Sequence, residues 1–247
     1  MNIRQYLDST YLKTAEQAGL NEDENTAVAE GFIREAIDEG FKLIMIRPDK
    51  VALAKKMIAE ADSAVAVGTV IDFPDGRSLP EQKLQEAQQA IADGADELDF
   101  VCNYTAFKEG DTELLKNEIF ECTQLGLSHL KVVKWIIEVA ALDEREIAQL
   151  SSLIKNVVLT NFPADNYNSV YVKSSTGFFK TDGGKPNGAT MHSIIIMLEN
   201  AAPLQVKASG GVRTYNEAVE MINLGVKRIG TSSAKAIADG LDAQGGY

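Results

Sequence analysis

Apolar and polar residues alternate along this chain in two rhythms. Short runs rich in β-branched and aromatic residues recur at 6–12, 43–47, 64–71, 97–101, 130–137, 170–174, 204–208 and 228–230. Runs of this length and composition predict strands. Between them, 78–93 (SLPEQKLQEAQQAIAD) and 215–224 (YNEAVEMINL) repeat their apolar positions at intervals of three and four, the spacing of a helix with one buried face. Gly94, Gly126 and Gly225 follow helical segments just ahead of the next strand, where a helix stop is expected. The stretch 150–168 is ambiguous: KNVVLTNFP has the composition of a strand, but a helix beginning near Asp143 can run through it, and helix is the expectation.

Strands that alternate with helices pair in parallel, because a parallel pair needs a crossover and helices supply it. Eight strands are the number that closes a (β/α)8 TIM barrel, and the length of 247 residues matches that fold's typical size of roughly 250. One α/β domain over 1–247 is therefore expected. The terminal GLDAQGGY carries the only run of tail-like composition, and its glycines predict a short flexible end.

Composition narrows the setting. No apolar run approaches the roughly 18 residues of a membrane span, and the start, MNIRQYLDST, lacks the apolar stretch of a secretory signal. A cytoplasmic location without membrane contact is expected. Cys102 and Cys122 show neither framework nor redox spacing and read as reduced thiols. The two histidines, His129 and His192, have no second ligand at helical or turn spacing, so neither a metal nor another cofactor is expected, and both read as structural. A net charge of −12 argues against a nucleic-acid partner and makes any local cluster of lysines more telling.

Such a cluster is implied by the strands themselves. Asp99, Lys134, Lys173 and Lys207 each interrupt an otherwise apolar strand. Burying one lone charge costs several kcal/mol or shifts its pKa. Four such interruptions are most economically explained by adjacent parallel strands aimed at one pocket. Taken singly, a strand-end lysine simply snorkels to solvent, and Asp99 with Lys134 reads equally as a lumen salt bridge. In barrels of this kind the reactive groups gather at the carboxyl ends of the strands, with phosphate beside the loops after the seventh and eighth. Here the seventh strand is followed by Gly210-Gly211-Val212 and the eighth by Gly230-Thr231-Ser232-Ser233-Ala234. Glycine amides and a helix start favour an oxyanion, which predicts a phosphorylated substrate. Either segment alone reads as turn glycines or a serine cap.

Asp8, GTVIDFPDG at 68–76, GADELD at 94–99, LKVVKWIIE, YVKSSTG, KASGGVRT and GTSSA, in that order, resemble the deoxyribose-phosphate aldolases, class I Schiff-base enzymes on a (β/α)8 barrel. The resemblance implies reversible cleavage of 2-deoxy-D-ribose 5-phosphate to D-glyceraldehyde 3-phosphate and acetaldehyde. It implies imine formation at Lys173, with Lys207 beside it, proton transfer at Asp99, and Lys134 as a group that keeps Asp99 ionised and relays protons. Asp8, Thr10, Thr176, Gly177, Gly210, Gly211, Ser232 and Ser233 become the expected substrate and phosphate contacts. The chemistry agrees: breaking a carbon–carbon bond next to a hydroxyl needs an electron sink, and a protonated imine supplies one. A free lysine titrates near 10.4, so loss of water and a cationic neighbour in Lys207 are needed to lower Lys173.

Several residues depart from the family pattern or stand outside it. The first strand reads Asp8-Ser9-Thr10, where many members carry a central histidine. The second reads MIRP, where the family more often shows C-V-N-P, which places Met45 and Arg47 near the expected pocket mouth. The segment FFKTDGGKPNGAT after Gly177 is longer than expected, so Lys180 is not equated with a phosphate-binding lysine. Glu138 and Arg213 read as helix caps, with phosphate contact open to Arg213. Ser174, Ser175 and Thr176 read as turn donors or as groups that position the imine. Tyr247 is a candidate proton relay from the tail. The alternatives are a related lysine-dependent aldolase acting on another sugar phosphate, and a phosphosugar-binding barrel without catalysis. The expected partners are small sugar phosphates and aldehydes, and the expected assembly is a monomer or homodimer.

Overall fold

A computed structural model describes residues 1–241, and Tyr247 with the rest of the tail lies outside them. The elements follow as β1 (Leu7–Tyr11), α1 (Ala15–Ala18), α2 (Glu22–Glu39), β2 (Leu43–Ile46), α3 (Val51–Glu60), β3 (Ala66–Ile71), α4 (Pro80–Ala92) and β4 (Glu97–Val101). The second half continues with α5 (Tyr104–Lys108), α6 (Thr112–Ser128), β5 (Val132–Ile136), α7 (Glu144–Asn161), β6 (Val170–Lys173), α8 (Met191–Ala201), β7 (Gln205–Ser209), α9 (Tyr215–Leu224), β8 (Arg228–Thr231) and α10 (Ala234–Ala238). The eight strands close in sequence order, with β8 returning beside β1, and every pairing is parallel. This is the (β/α)8 barrel expected from the alternation of the two rhythms.

The helices start where their caps dictate. Thr14, Asn21, Asp143, Thr190 and Thr214 each accept a hydrogen bond from the backbone three residues on, and the side chain at that third position bonds back. Helix α7, capped by Asp143, confirms the helical reading of 150–168 only as far as Asn161. Pro163 then interrupts, and Ala164–Ser169 forms a 3-10 turn that feeds β6. The expected stop at Gly126 is corrected: α6 runs two residues further. Gly126 is there for packing, because a Cβ would collide with the Val133 side chain. The chain reverses at Leu130, which takes a φ of 57° and stands exposed instead of beginning β5.

Because side chains alternate across a strand, each β segment sends one set outward to the helices and another into the lumen. The outward set forms the main core, in which Trp135 stacks on Phe100 at 5.2 Å and donates its indole N–H to Thr123. The lumen is divided. On the β1–β3 side Leu12, Leu43, Met45 and Val70 fill it with hydrocarbon. From β4 round through β8 to Asp8 of β1, its floor carries charge.

Candidate active site

In register, Asp99 of β4 stands beside Lys134 of β5, and Lys173 of β6 beside Lys207 of β7. Parallel neighbours at matching register project the same way, so all four side chains enter the lumen together. Asp99 is the hub. Its Oδ1 accepts from Lys134 at 2.6 Å, and its Oδ2 accepts from both Lys173 at 2.9 Å and Lys207 at 3.0 Å. Sharing one oxygen places the two amines side by side. All four groups are buried.

A second set of charges lies one layer closer to the amino ends of the strands. Arg228 donates from Nε to Asp8 Oδ1 at 2.7 Å and forks onto Glu97 at 3.0 and 3.1 Å. The other oxygen of Asp8 lies 2.6 Å from Lys207 Nζ, and Glu97 Oε2 lies 2.5 Å from Lys134 Nζ. The two layers are therefore one network: three carboxylates (Asp8, Glu97, Asp99) face four cationic side chains (Lys134, Lys173, Lys207, Arg228). With every group ionised, this ion-paired network would hold one positive charge too many.

The network shifts Asp99, Lys134 and Lys173 in different directions. Burial alone would raise Asp99, but the ammonium groups of Lys134, Lys173 and Lys207 hold it well below the ordinary aspartate range. Burial would lower Lys134, yet Asp99 and Glu97 outweigh it and push its pKa above that of a free lysine. Lys173 moves the other way. Burial is the largest cause, Asp99 opposes it, Lys207 adds to it, and the result is a pKa of about 8. The surplus proton is thus most easily lost at Lys173.

Above this amine a cleft opens at the carboxyl end of the barrel. It is lined by Thr10, Leu12, Lys173, Thr176, Gly177 and Asn187, and by the loops after β7 and β8 from Ser209 to Arg213 and from Gly230 to Ser233. Gly210 and Gly211 have φ of 76° and 85°, a left-handed backbone that glycine adopts without strain. Gly188 meets Gly210 so closely that a Cβ there would sit 2.6 Å from the Gly210 backbone. The long loop after β6 is thereby laid against the loop after β7, and the Ala189 amide seals the contact on the carbonyls of Ser209 and Gly210.

The comparisons with known proteins converge on one chemistry. The DeoC/LacD aldolase family matches residues 12–240. The chain belongs to that family. Over 242 residues it is 38% identical to the deoxyribose-phosphate aldolase of Thermococcus kodakarensis, covering 96% of each chain. Among solved structures, an aldolase called QR15 superposes with a TM-score of 0.79 at 32% identity, covering 97% of this chain and 95% of that one. The deoxyribose phosphate aldolase from Aeropyrum pernix, described as tetrameric, gives 0.77 at 27% identity, with 96% and 89% covered. The enzyme is accordingly an aldolase.

Most of the residues singled out from the aldolase's sequence lie where the cleft is: Lys173, Thr10, Thr176, Gly177, Gly210, Gly211, Ser232 and Ser233 line it, and Lys207, Lys134 and Asp99 lie beneath. Asp8, expected among the substrate contacts, is instead wholly buried under the cleft, held by Lys207 and Arg228. Its carboxylate is a counter-ion in the floor. Met45 is sealed in the hydrocarbon half of the lumen, Ser9 is buried in the barrel wall, and Arg47 lies over the Phe73 ring and bonds the Leu12 carbonyl. None of the three lines the cleft. The candidate relay Tyr247 falls outside the described residues. Arg213 lines the cleft, while its backbone amide donates to Glu217.

The sequence reading misjudged one further group. Glu138 caps nothing with its side chain. It is buried with a φ of 56°, and its carboxylate clasps the turn after Lys173. One oxygen takes the Ser175 hydroxyl at 2.7 Å, and the other takes the amide of Thr176 at 3.1 Å and the Thr176 hydroxyl. Burial raises the Glu138 pKa, and the bonds from Thr176 and Ser175 counter that rise. Its position four residues beyond Lys134, just past the carboxyl end of the same strand, was the available signal.

Gly230 shows how tight the floor is. A Cβ there would strike the Ser209 hydroxyl and sit 3.0 Å from Lys207 Cε. Gly230→Ala is therefore expected to push Lys207 off Asp99 and lower kcat/KM about 100-fold while the circular dichroism spectrum is unchanged, since misplacement by about 1 Å is enough for that loss. An alanine variant with native kinetics would show that the position of Lys207 is not critical.

Proposed function

We propose that this aldolase, one domain over 1–247, reversibly cleaves 2-deoxy-D-ribose 5-phosphate to D-glyceraldehyde 3-phosphate and acetaldehyde through an imine on Lys173. One observation carries the reading: two lysine amines share one buried carboxylate oxygen directly beneath a cleft whose far wall is the paired glycine and serine loops. A phosphate bound at the amides of Gly210, Gly211 and Ser232 would leave the aldehyde end of an open-chain pentose over Lys173.

The steps follow from what each group can do. The unprotonated Lys173 amine adds to the C1 aldehyde, and loss of water gives a protonated imine. Asp99, ionised and directly or through one water, takes the proton from the C3 hydroxyl. As that proton leaves, the C2–C3 bond breaks, its electrons flow into the imine, and glyceraldehyde 3-phosphate departs. The remaining enamine is protonated at C2 and hydrolysed, releasing acetaldehyde. Lys207, held beside Lys173 on the shared carboxylate, helps to keep its pKa low by repulsion, and Lys134 keeps Asp99 ionised. Thr10 and Thr176 face the substrate chain, and the hold of Glu138 on Thr176 supports that wall.

The activity should rise with pH. Lys173 reacts only without its proton, so with a pKa of about 8 roughly a tenth of the enzyme is competent at pH 7 and most of it at pH 9. The expected profile of kcat/KM has an acid limb near 8. A flat profile from pH 6 to 9 under conditions where chemistry limits the rate would contradict this assignment.

The test of the function is cleavage over a panel of sugar phosphates, with aldehyde release coupled to a reductase. 2-Deoxyribose 5-phosphate is expected to give the highest kcat/KM. A higher value for another phosphosugar would favour the related-aldolase reading, and no cleavage of any would favour a binding protein. We further expect a monomer or homodimer and a cytoplasmic location. Light scattering that gave a tetramer, as described for the Aeropyrum pernix relative, would overturn the first. Among the described residues no helix is long and apolar enough to cross a membrane.

A further inference from the structure

Arg228 is absent from the cleft, yet it engages three carboxylate oxygens of the lumen where Lys134 and Lys207 engage two each. Its guanidinium takes Asp8 Oδ1 and both oxygens of Glu97, leaving the three lysines with Asp8 Oδ2, a shared claim on Glu97 Oε2, and Asp99. Asp99 consequently serves three ammonium groups at once. Remove the guanidinium and the count changes: three lysines would then face the three carboxylates of the ion-paired network, which would be neutral with all three amines protonated. We propose that Arg228 is a positioning residue for the aldolase reaction: by occupying Asp8 and Glu97 at the barrel floor it creates the positive surplus that Lys173, in the layer above, relieves by giving up its proton.

The geometry supports action through the carboxylates and not through direct contact. Arg228 faces Asp8 from β1, Glu97 from β4, Lys134 from β5, Tyr171 from β6 and Lys207 from β7. Lys173 faces Asp99 from β4, Lys134 from β5, Glu138 from the turn after β5, and Lys207 from β7. The two cationic side chains therefore share neighbours but do not touch. Arg228 remains charged throughout, since burial lowers its pKa but Asp8 and Glu97 raise it by more. A lysine at the same place would risk becoming the group that loses the proton; a guanidinium does not. Arginine at the floor thus directs deprotonation upward to the nucleophile.

This inference rests on the imine reading of Lys173, and the experiment separates the two. The pH dependence of kcat/KM for cleavage of 2-deoxyribose 5-phosphate is measured for the wild type, Arg228→Met, Glu97→Gln and the double variant. Arg228→Met is expected to move the acid limb up by about one pH unit, with activity recovering at alkaline pH. Glu97→Gln removes a negative charge from the same network and is expected to move the limb down. In the double variant both charges are gone, the surplus is restored, and the limb returns toward the wild-type position. If Arg228→Met fails to fold, the downward shift in Glu97→Gln and its reversal in the double variant still decide the matter. Loss of activity by an equal factor at every pH would reduce Arg228 to a structural brace and overturn the proposal. Absence of cleavage by the wild type would instead overturn the functional reading on which it stands.

Discussion

Replacing Lys173 by leucine should abolish turnover while leaving the barrel fully folded. The amine is the group that bonds to substrate, and no neighbour is free to replace it: Lys207 and Lys134 are each held between two carboxylates, Lys207 by Asp8 and Asp99, Lys134 by Glu97 and Asp99. The expected loss is about 10⁴-fold or more in kcat, corresponding to roughly 5.5 kcal/mol of barrier. Removing one partner from a buried ion network ordinarily destabilises it. Here the network carries a surplus cation, so the leucine variant leaves three carboxylates facing three cations and should unfold at the same temperature as the wild type or higher. Thermal unfolding beside steady-state kinetics checks both halves. A variant that kept a hundredth of the activity would place the nucleophile elsewhere, and a sharply lowered melting temperature would contradict the charge count.

Asp99→Asn is expected to fail on both axes. The amide fits the same space but removes the charge on which three lysines converge, leaving two carboxylates against four cations. Breaking a buried pair of this kind costs about 3 to 5 kcal/mol, here toward the lower end because Lys173 can shed its proton to relieve the excess. The pH window follows from the direction of the Asp99 shift. Its folded pKa lies well below the ordinary value of 3.8, so its contribution is present above that value and is lost only as pH falls through the lower folded one. The stability gap between wild type and variant should therefore persist at neutral pH and close only in strong acid. Turnover should fall about 10²- to 10⁴-fold as the proton acceptor is lost. Urea unfolding at neutral and strongly acidic pH, paired with the cleavage assay, measures both effects. An equally stable variant would show that the lysines do not depend on this carboxylate.

Much of this architecture was legible from side-chain periodicity. Strand β4 at Glu97–Val101 and helix α9 at Tyr215–Leu224 have the bounds their patterns predict, because each is a short segment with clear punctuation on both sides. The four ionisable residues that interrupt apolar strands do converge, since parallel register places them at neighbouring positions of one lumen. What escaped were groups whose partners are remote in sequence. Arg228 meets Glu97 across 131 positions, and nothing local to either residue announces it. The alternation rule would have reached Glu97, two residues before Asp99 and hence on the same face, and Arg228, two before Gly230. Glu138 was misjudged because a polar residue past a strand end looks like an ordinary cap, whereas its buried clasp depends on the turn after another strand. Gly126 and Leu130 misled for the opposite reason: propensity assigned them to a helix stop and a strand, whereas Gly126 is packed against Val133 inside α6 and Leu130 turns the chain at the surface with a φ of 57°.

The central claim is that one amine of the three in this lumen condenses with substrate, and borohydride trapping with 2-deoxyribose 5-phosphate followed by peptide mass mapping addresses it most directly. A reduced adduct on Lys173, formed in greater yield at pH 8 than at pH 6, is the predicted result. An adduct on Lys207 or Lys134 would contradict it.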